Sequence, residues 1–165
     1  MILQAFYKAL AMYATGVAIT VPTPGGSTST SMLTASSCYK LFCLKNAFQS
    51  VVSNTSSSGI VVGSGTTPPT FNDNSLKSQI TTITGNVSFG TSIGTNQDFA
   101  SITAIVTITN TGDKAITVAE IGAQINVTGN WCWMVDRTVL DNPITIEPGG
   151  IGQVTYTIRL DYPTE

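Results

Sequence analysis

Apolar and polar side chains alternate with a period of two through most of the second half of the chain. Ile102, Ala104, Val106 and Ile108 fall on one side and Thr103, Ile105, Thr107 and Thr109 on the other, which predicts a strand with one core-facing surface. Asn110-Thr111-Gly112-Asp113 is a tight-turn signal, because Asn and Gly accept turn dihedrals, and it leads to a further strand from Ala115. In that strand Ala119, Ile121, Ala123, Ile125 and Val127 share a face, and it ends near Thr128-Gly129-Asn130. Glu147-Pro148-Gly149-Gly150 separates Ile144–Ile146 from a final strand, in which Val154, Tyr156, Ile158 and Leu160 point one way and Thr155, Thr157 and Arg159 the other. Short strands punctuated by turn clusters predict a mainly β protein, an antiparallel two-sheet β-sandwich of immunoglobulin-like or jelly-roll type.

The first third of the chain follows another pattern. Met1 to Met12 is apolar with Lys8 inside it, and the run to Val21 is interrupted by Thr15, Gly16 and Thr20. That is neither the layout of a cleaved leader nor a membrane span of about 20 residues, and it predicts a short helix leading to a strand at Val17–Val21. Pro22 to Ser31 is all turn formers and predicts a loop. Leu41, Leu44, Phe48 and Val51 fit a helix within Cys38–Val52, or equally a strand followed by an irregular turn. Asn54 to Gly59 is a second polar loop. Residues 1–58 therefore read as an N-terminal arm, or small added layer with a short helix, and residues 59–165 as the sandwich domain.

Charge changes the picture from fold to function. Only 10% of the 165 residues are charged, histidine is absent and no acidic residue precedes Asp73. A soluble domain carries about 25% charged residues, so a surface this poor in charge suits a protein covered by its neighbours. Residues 1–72 hold Lys8, Lys40 and Lys45 for a net +3, whereas residues 73–165 set nine acids against Lys77, Lys114, Arg137 and Arg159 for a net −5. Such asymmetry can orient identical copies head to tail, the basic part of one facing the acidic part of the next, and a homo-oligomer is expected; the imbalance is equally read as an accident of low charge density. No basic stripe suits nucleic acid, and no membrane contact is expected.

Candidate chemistry is sparse. Without histidine the familiar nucleophilic triads and an ordinary structural zinc site are unavailable. The three cysteines do not form a disulfide framework: Cys132 reads as a small buried hydrophobe, and Cys38 and Cys43 as reduced thiols. Gly63-Ser64-Gly65 lacks the Lys-Ser/Thr of a phosphate loop, and Asn72-Asp73-Asn74 lacks the spaced acids of a calcium loop, so both read as turns. Asp136, Arg137 and Glu120 read as a sheet-face ion pair or an inter-subunit contact rather than a catalytic set. No enzyme activity and no cofactor are expected. Trp131 and Trp133 share one face of a strand, where they pack a core or an interface, or else stack on sugar rings.

From Gly59 to Ile80 the chain reads GIVVGSGTTPPTFNDNSLKSQI, an apolar strand, a Gly-x-Gly-Thr-Thr-x-Pro-Thr loop, an Asp, and a Leu ahead of a new strand. Gly63 and Gly65 are expected to let this loop turn sharply, Pro68-Pro69 to stiffen it, and Asn72-Asp73-Asn74 to close it with side-chain to backbone bonds. The segment resembles one found in structural proteins of tailed bacteriophages. Asn110-Thr111-Gly112, Ala119-Glu120-Ile121-Gly122, Val135 to Leu140, Pro143-Ile144, Pro148-Gly149-Gly150 and Val154 to Ile158 follow in the order those proteins show, so the resemblance spans roughly residues 59–160.

The resemblance implies a virion component, made in the host cytoplasm, that binds itself and other head, neck, tail or fibre proteins. On that expectation residues 1–58 dock on a neighbour through Phe6, Tyr7, Leu10, Met12 and Tyr13, with Trp131 and Trp133 as further interface candidates. The alternative is a carbohydrate-binding adhesin module with Trp131, Trp133 and Tyr156 as its platforms.

Overall fold

The computed structural model describes residues 4, 7–8, 11, 19–23, 28–31, 50–54, 56–93, 99–128 and 131–161. Eight strands are present in them: β1 Ile19–Pro22, β2 Thr28–Ser31, β3 Gly59–Gly63, β4 Ile83–Ile93, β5 Phe99–Asn110, β6 Ile116–Thr128, β7 Trp131–Ile146 and β8 Ile151–Asp161. They form a three-stranded sheet β3-β6-β7, a second of order β4-β5-β8 and a β1-β2 pair, every pairing antiparallel. The chain is mainly β, and its two principal sheets make the expected sandwich. Backbone at Gln4, Tyr7, Lys8 and Ala11 is helical, where a short helix was expected.

One expectation changes. Thr28–Ser31, assigned to a loop, is strand β2 paired to β1, because serine and threonine tolerate extended backbone as readily as turns. The turn after Asn110 leads into β6 as expected, and it runs between sheets: β5 and β6 lie in different sheets, and so do β7 and β8. Both turns cross from one layer to the other, and after the β6–β7 excursion β8 returns beside β5 in Greek-key fashion.

Asn110 fastens the two crossings together. Wholly buried, it donates from Nδ2 to Lys114 O at 2.8 Å and Ile146 O at 3.0 Å, and accepts the Gly112 amide on Oδ1 at 2.9 Å. Its backbone exchanges bonds with the second turn, giving N–H to Gly150 O at 3.1 Å and receiving Gly149 N–H at 3.0 Å. Gly149 there has φ +70, a value that favours glycine.

The core lies between the sheets. Ala104, Val106 and Ile108 of β5, Ile121, Ala123 and Ile125 of β6, and Val154 and Tyr156 of β8 are buried in it, on the faces the alternation assigned. Thr155 and Thr157 are exposed, as expected. Cys132 is buried, and of the Cys38–Val52 helix-or-strand segment residues 38–49 lie outside the described residues, while Ser50 and Val51 form bridges to Asn86 and Ile60.

The sheets differ in one respect that matters for function. The β4-β5-β8 sheet has one covered face, but β3-β6-β7 has two, since Gly59–Gly63, Val118–Ile125 and Cys132–Arg137 are buried at every position. Its outer face is covered by chain between Val52 and Ile80, where Val61, Leu76 and Met134 form a small second core.

Candidate functional site

The covered outer face holds the only dense constellation of charge among the described residues. Glu120 reaches it by strand alternation from β6, but Arg137 reaches it by an irregularity in β7. Gln124 pairs with Met134 and Ala123 pairs with Asp136, so Val135 is an extra residue in the ladder. The bulge reverses the phase of everything after it. Asp136 consequently points into the sandwich and Arg137 out beneath the loop.

Arg137 is a wholly buried cation with fixed partners. Its Nε donates to Glu120 Oε2 at 2.8 Å and its Nη2 lies 2.7 Å from the same oxygen. Nη1 donates to Asp73 Oδ2 at 2.9 Å, and Nη2 also donates to Thr67 O at 2.9 Å. Glu120 accepts three loop amides besides, from Ser78 at 2.8 Å and from Gly65 and Lys77 at 3.2 Å. Asp73 accepts the Thr70 amide and hydroxyl and the Lys77 ammonium. Burial alone would raise the Asp73 carboxyl, but the Lys77 and Thr70 bonds outweigh it and bring it from 3.8 down to about 2.

Two loop glycines are explained by this geometry rather than by turning. A Cβ at Gly65 would stand 2.5 Å from Glu120 Oε1, and one at Gly63 would collide with Ser78 O and with Glu120. Neither has positive φ, so the sharp turn expected of them is replaced by close approach to a carboxylate. The expected closure through Asp73 is present as its bonds to Thr70.

With both carboxylates saturated by cations and amides, the cluster has no oxygen aimed at a substrate. It is a lock that holds the Gly-Thr-Thr-Pro-Pro-Thr loop on the sheet. Among the described residues no group of three or more Cys, Asp or Glu is placed to hold a metal ion. The anticipated ion pair therefore exists as Arg137–Glu120 within the chain, while Asp136 stands apart from it.

Asp136 instead joins the two sheets. The Tyr156 hydroxyl donates to Asp136 Oδ2 across the core, and burial, reinforced by the carboxylate, pushes the phenol well above its usual range. Tyr156 is 6% exposed and Trp133 is 1% exposed. Neither ring is presented to a sugar or a partner, which corrects Trp133 as an interface residue and both rings as platforms: large apolar surfaces here fill the space between sheets. Cys132 and Met134, apolar on the opposite side of β7, were the sequence sign that this strand is covered twice. The Trp131 side chain lies outside the described residues, as do Phe6, Leu10, Met12 and Tyr13. Tyr7 is described, and it docks within its own chain. Its ring meets Phe71 at a centroid separation of 5.8 Å and an angle of 42°, next to the Gln4 amide's bond to Phe71 O at 2.9 Å.

The exposed face of β4-β5-β8 is the remaining large feature. From Thr84 to Gly90, Ser101 to Thr109 and Ile151 to Thr157, the outward positions are Ser, Thr, Asn, Gln, Gly or Ile, and none is charged. Thr103 and Thr157 share a hydroxyl contact of 3.3 Å across it. Ile105 and Ile151 are 39% and 71% exposed in that polar field. Comparison with known protein families, with curated proteins and with solved structures found no match to this chain.

Proposed function

We propose that this chain is a non-enzymatic structural component of a bacteriophage virion, packing against copies of itself and against neighbouring head, neck or tail proteins. The observation that carries the reading is the outer face of β4-β5-β8, uncharged from Thr84 to Gly90, Ser101 to Thr109 and Ile151 to Thr157, supported by the phage-like order of motifs. In a chain with only 10% charged residues, Arg137, Glu120, Asp73 and Asp136 are all buried in internal bonds. The exterior is thus poorer in charge than the composition alone implies, and depletion of charge marks the centre of protein interfaces.

The locked loop fits the same role. Its charged groups hold a shape, and the phage-like Gly-Thr-Thr-Pro-Pro-Thr segment is the part so held. Residues 1–58 would add an arm, of which Tyr7 on Phe71 is the described anchor.

Quantitative mass spectrometry of purified particles tests the reading. A structural component is present in fixed stoichiometry and resists a high-salt wash; its absence from particles made by cells that express it refutes the proposal. Incorporation that is unchanged after deletion of residues 1–21 would remove the arm while leaving the sandwich contact.

A further inference from the structure

Among the described residues the sandwich is stitched on one side and open on the other. Beside β3 and β4, Val52 N–H donates to Ile60 O at 2.8 Å, Ile60 N–H to Ser50 O at 3.0 Å, and Val51 N–H to Gly85 O at 3.4 Å, so residues 50–52 bridge the sheets. At the far side β8 ends its sheet and, among the described residues, pairs only with β5, from Phe99↔Asp161 to Thr109↔Ile151 without a register shift.

The direction of the unpaired groups follows from the ladder. Asn110 N–H bonds Gly150 O, and bonded and non-bonded pairs alternate in an antiparallel ladder. Gly152, Val154, Tyr156, Ile158 and Leu160 therefore turn their amides to β5, while Ile151, Gln153, Thr155, Thr157, Arg159 and Asp161 turn theirs away. Two independent contacts agree with this phase. Thr103 and Thr157 touch through their hydroxyls, as non-bonded pairs do, and Gly85, opposite Ile108, offers its carbonyl to Val51 rather than to β5. No hydrogen bond to the outward row of β8 is found among the described residues.

Natural edge strands are guarded by lysine, proline, a bulge or brevity. β8 has eleven residues, no Lys, no Pro and no bulge, and its charges are confined to Arg159 and Asp161 at one end. We infer that this edge is the seam between two copies of the chain, joined β8 to β8 antiparallel about a two-fold axis into one continuous six-stranded sheet. The inference deepens the assembly reading above and rests on it for the expectation of self-contact.

A second copy is the occupant that the strand's own sequence fits. A two-fold seam must match a strand to itself. With the axis at Tyr156, Thr155 faces Thr157 of the other copy, Gln153 faces Arg159 and Ile151 faces Asp161. No like charges oppose, threonine pairs fill the centre, and the full strand length is used.

Amide hydrogen exchange by NMR on the full chain, with sedimentation over a dilution series, tests the seam. Where sedimentation shows a dimer, the outward amides of Gln153, Thr155, Thr157 and Arg159 exchange at least about tenfold more slowly than in the diluted monomer, while Val154 and Tyr156 stay slow in both. Thr155→Pro deletes one outward amide without touching a β5 bond and leaves a monomer; Thr157→Lys, which adds a guarding charge to each strand, does the same should the proline variant not fold. Fast outward amides at every concentration, slow ones in the monomer, or a dimer that survives the folded variants would overturn the inference. So would protection gained only when another particle protein is added, which would assign the edge to a foreign strand. A monomer found in particles sinks the seam and keeps the virion reading; a β8 dimer absent from particles does the reverse.

Discussion

Arg137→Met asks what the buried lock contributes. The substitution keeps the length of the side chain's apolar stem but leaves Glu120, 0% exposed, as a carboxylate held only by the Gly65, Lys77 and Ser78 amides. It also frees Thr67 O and withdraws one of the two cations on Asp73. Breaking a buried ion pair from one side costs about 3–5 kcal/mol, mostly from the charge left behind. At about 2–4 °C per kcal/mol for a domain of this size, the melting temperature should fall by about 6–20 °C. Urea unfolding followed by the fluorescence of the buried Trp133 measures the same quantity. The cause is identified by a second variant: Arg137→Met with Glu120→Gln removes the stranded charge and should recover part of the loss. A deficit under about 1 kcal/mol, or a double variant no better than the single, would refute the claim that the charges lock the loop.

Acid should weaken the native protein in a defined window. Asp73 is held at about 2 against 3.8, so its contribution, about 2 kcal/mol, is complete above pH 4 and lost as pH falls towards 2; Asp73→Asn should flatten that part of the pH–stability curve. Alkali acts through Tyr156, whose raised phenol pKa stabilises the fold fully below the unfolded value near 10, after which stability declines by about 1.4 kcal/mol per pH unit until the folded value is reached. Tyr156→Phe should abolish that decline and cost about 1–3 kcal/mol at neutral pH, read by denaturant titration. Gly65→Ala should destabilise by more than the few tenths expected at an open glycine, because the new methyl meets Glu120 Oε1 at 2.5 Å; equal stability on calorimetry would contradict the close approach. Trp133→Ala should lower stability by about 3–5 kcal/mol rather than remove glycan binding selectively, as a glycan array on the folded fraction would show.

Much of the sandwich was legible because β periodicity is a local signal: the alternations in β5, β6 and β8 name the core faces directly. The lock was legible only in part. Glu120 and Arg137 stood out as oppositely charged residues in apolar strands, but their meeting depends on the extra residue Val135, and a bulge has no signature in a pattern that merely alternates. Alternation carried past the bulge would have put Arg137 in the core and Asp136 outside. The partnership with Asp73 was hidden for another reason, since it joins residues 64 apart through a loop without periodicity. Thr28–Ser31 escaped because four polar residues carry no apolar phase at all.

The two sheets divide the work between them. β3-β6-β7 is covered on both sides, so its contribution lies inside the chain, and the ionic lock decides which segment covers it. Apolar contact between Leu76, Val61 and Met134 would hold the loop, but it is non-directional and tolerates sliding. The fork of Arg137, fixed at once by Glu120, Asp73 and Thr67, admits one loop position, which is the use for which buried charge is best suited despite its desolvation cost. Because the lock occupies four of the chain's few ionised groups, Lys77 included, the described outward positions of the other sheet from Thr84 to Gly90, Ser101 to Thr109 and Ile151 to Thr157 are left without charge. A surface of that kind would have little electrostatic repulsion to overcome in the proposed self-contact, so charge drawn inward to fix the loop would also leave the β4-β5-β8 face free to pack.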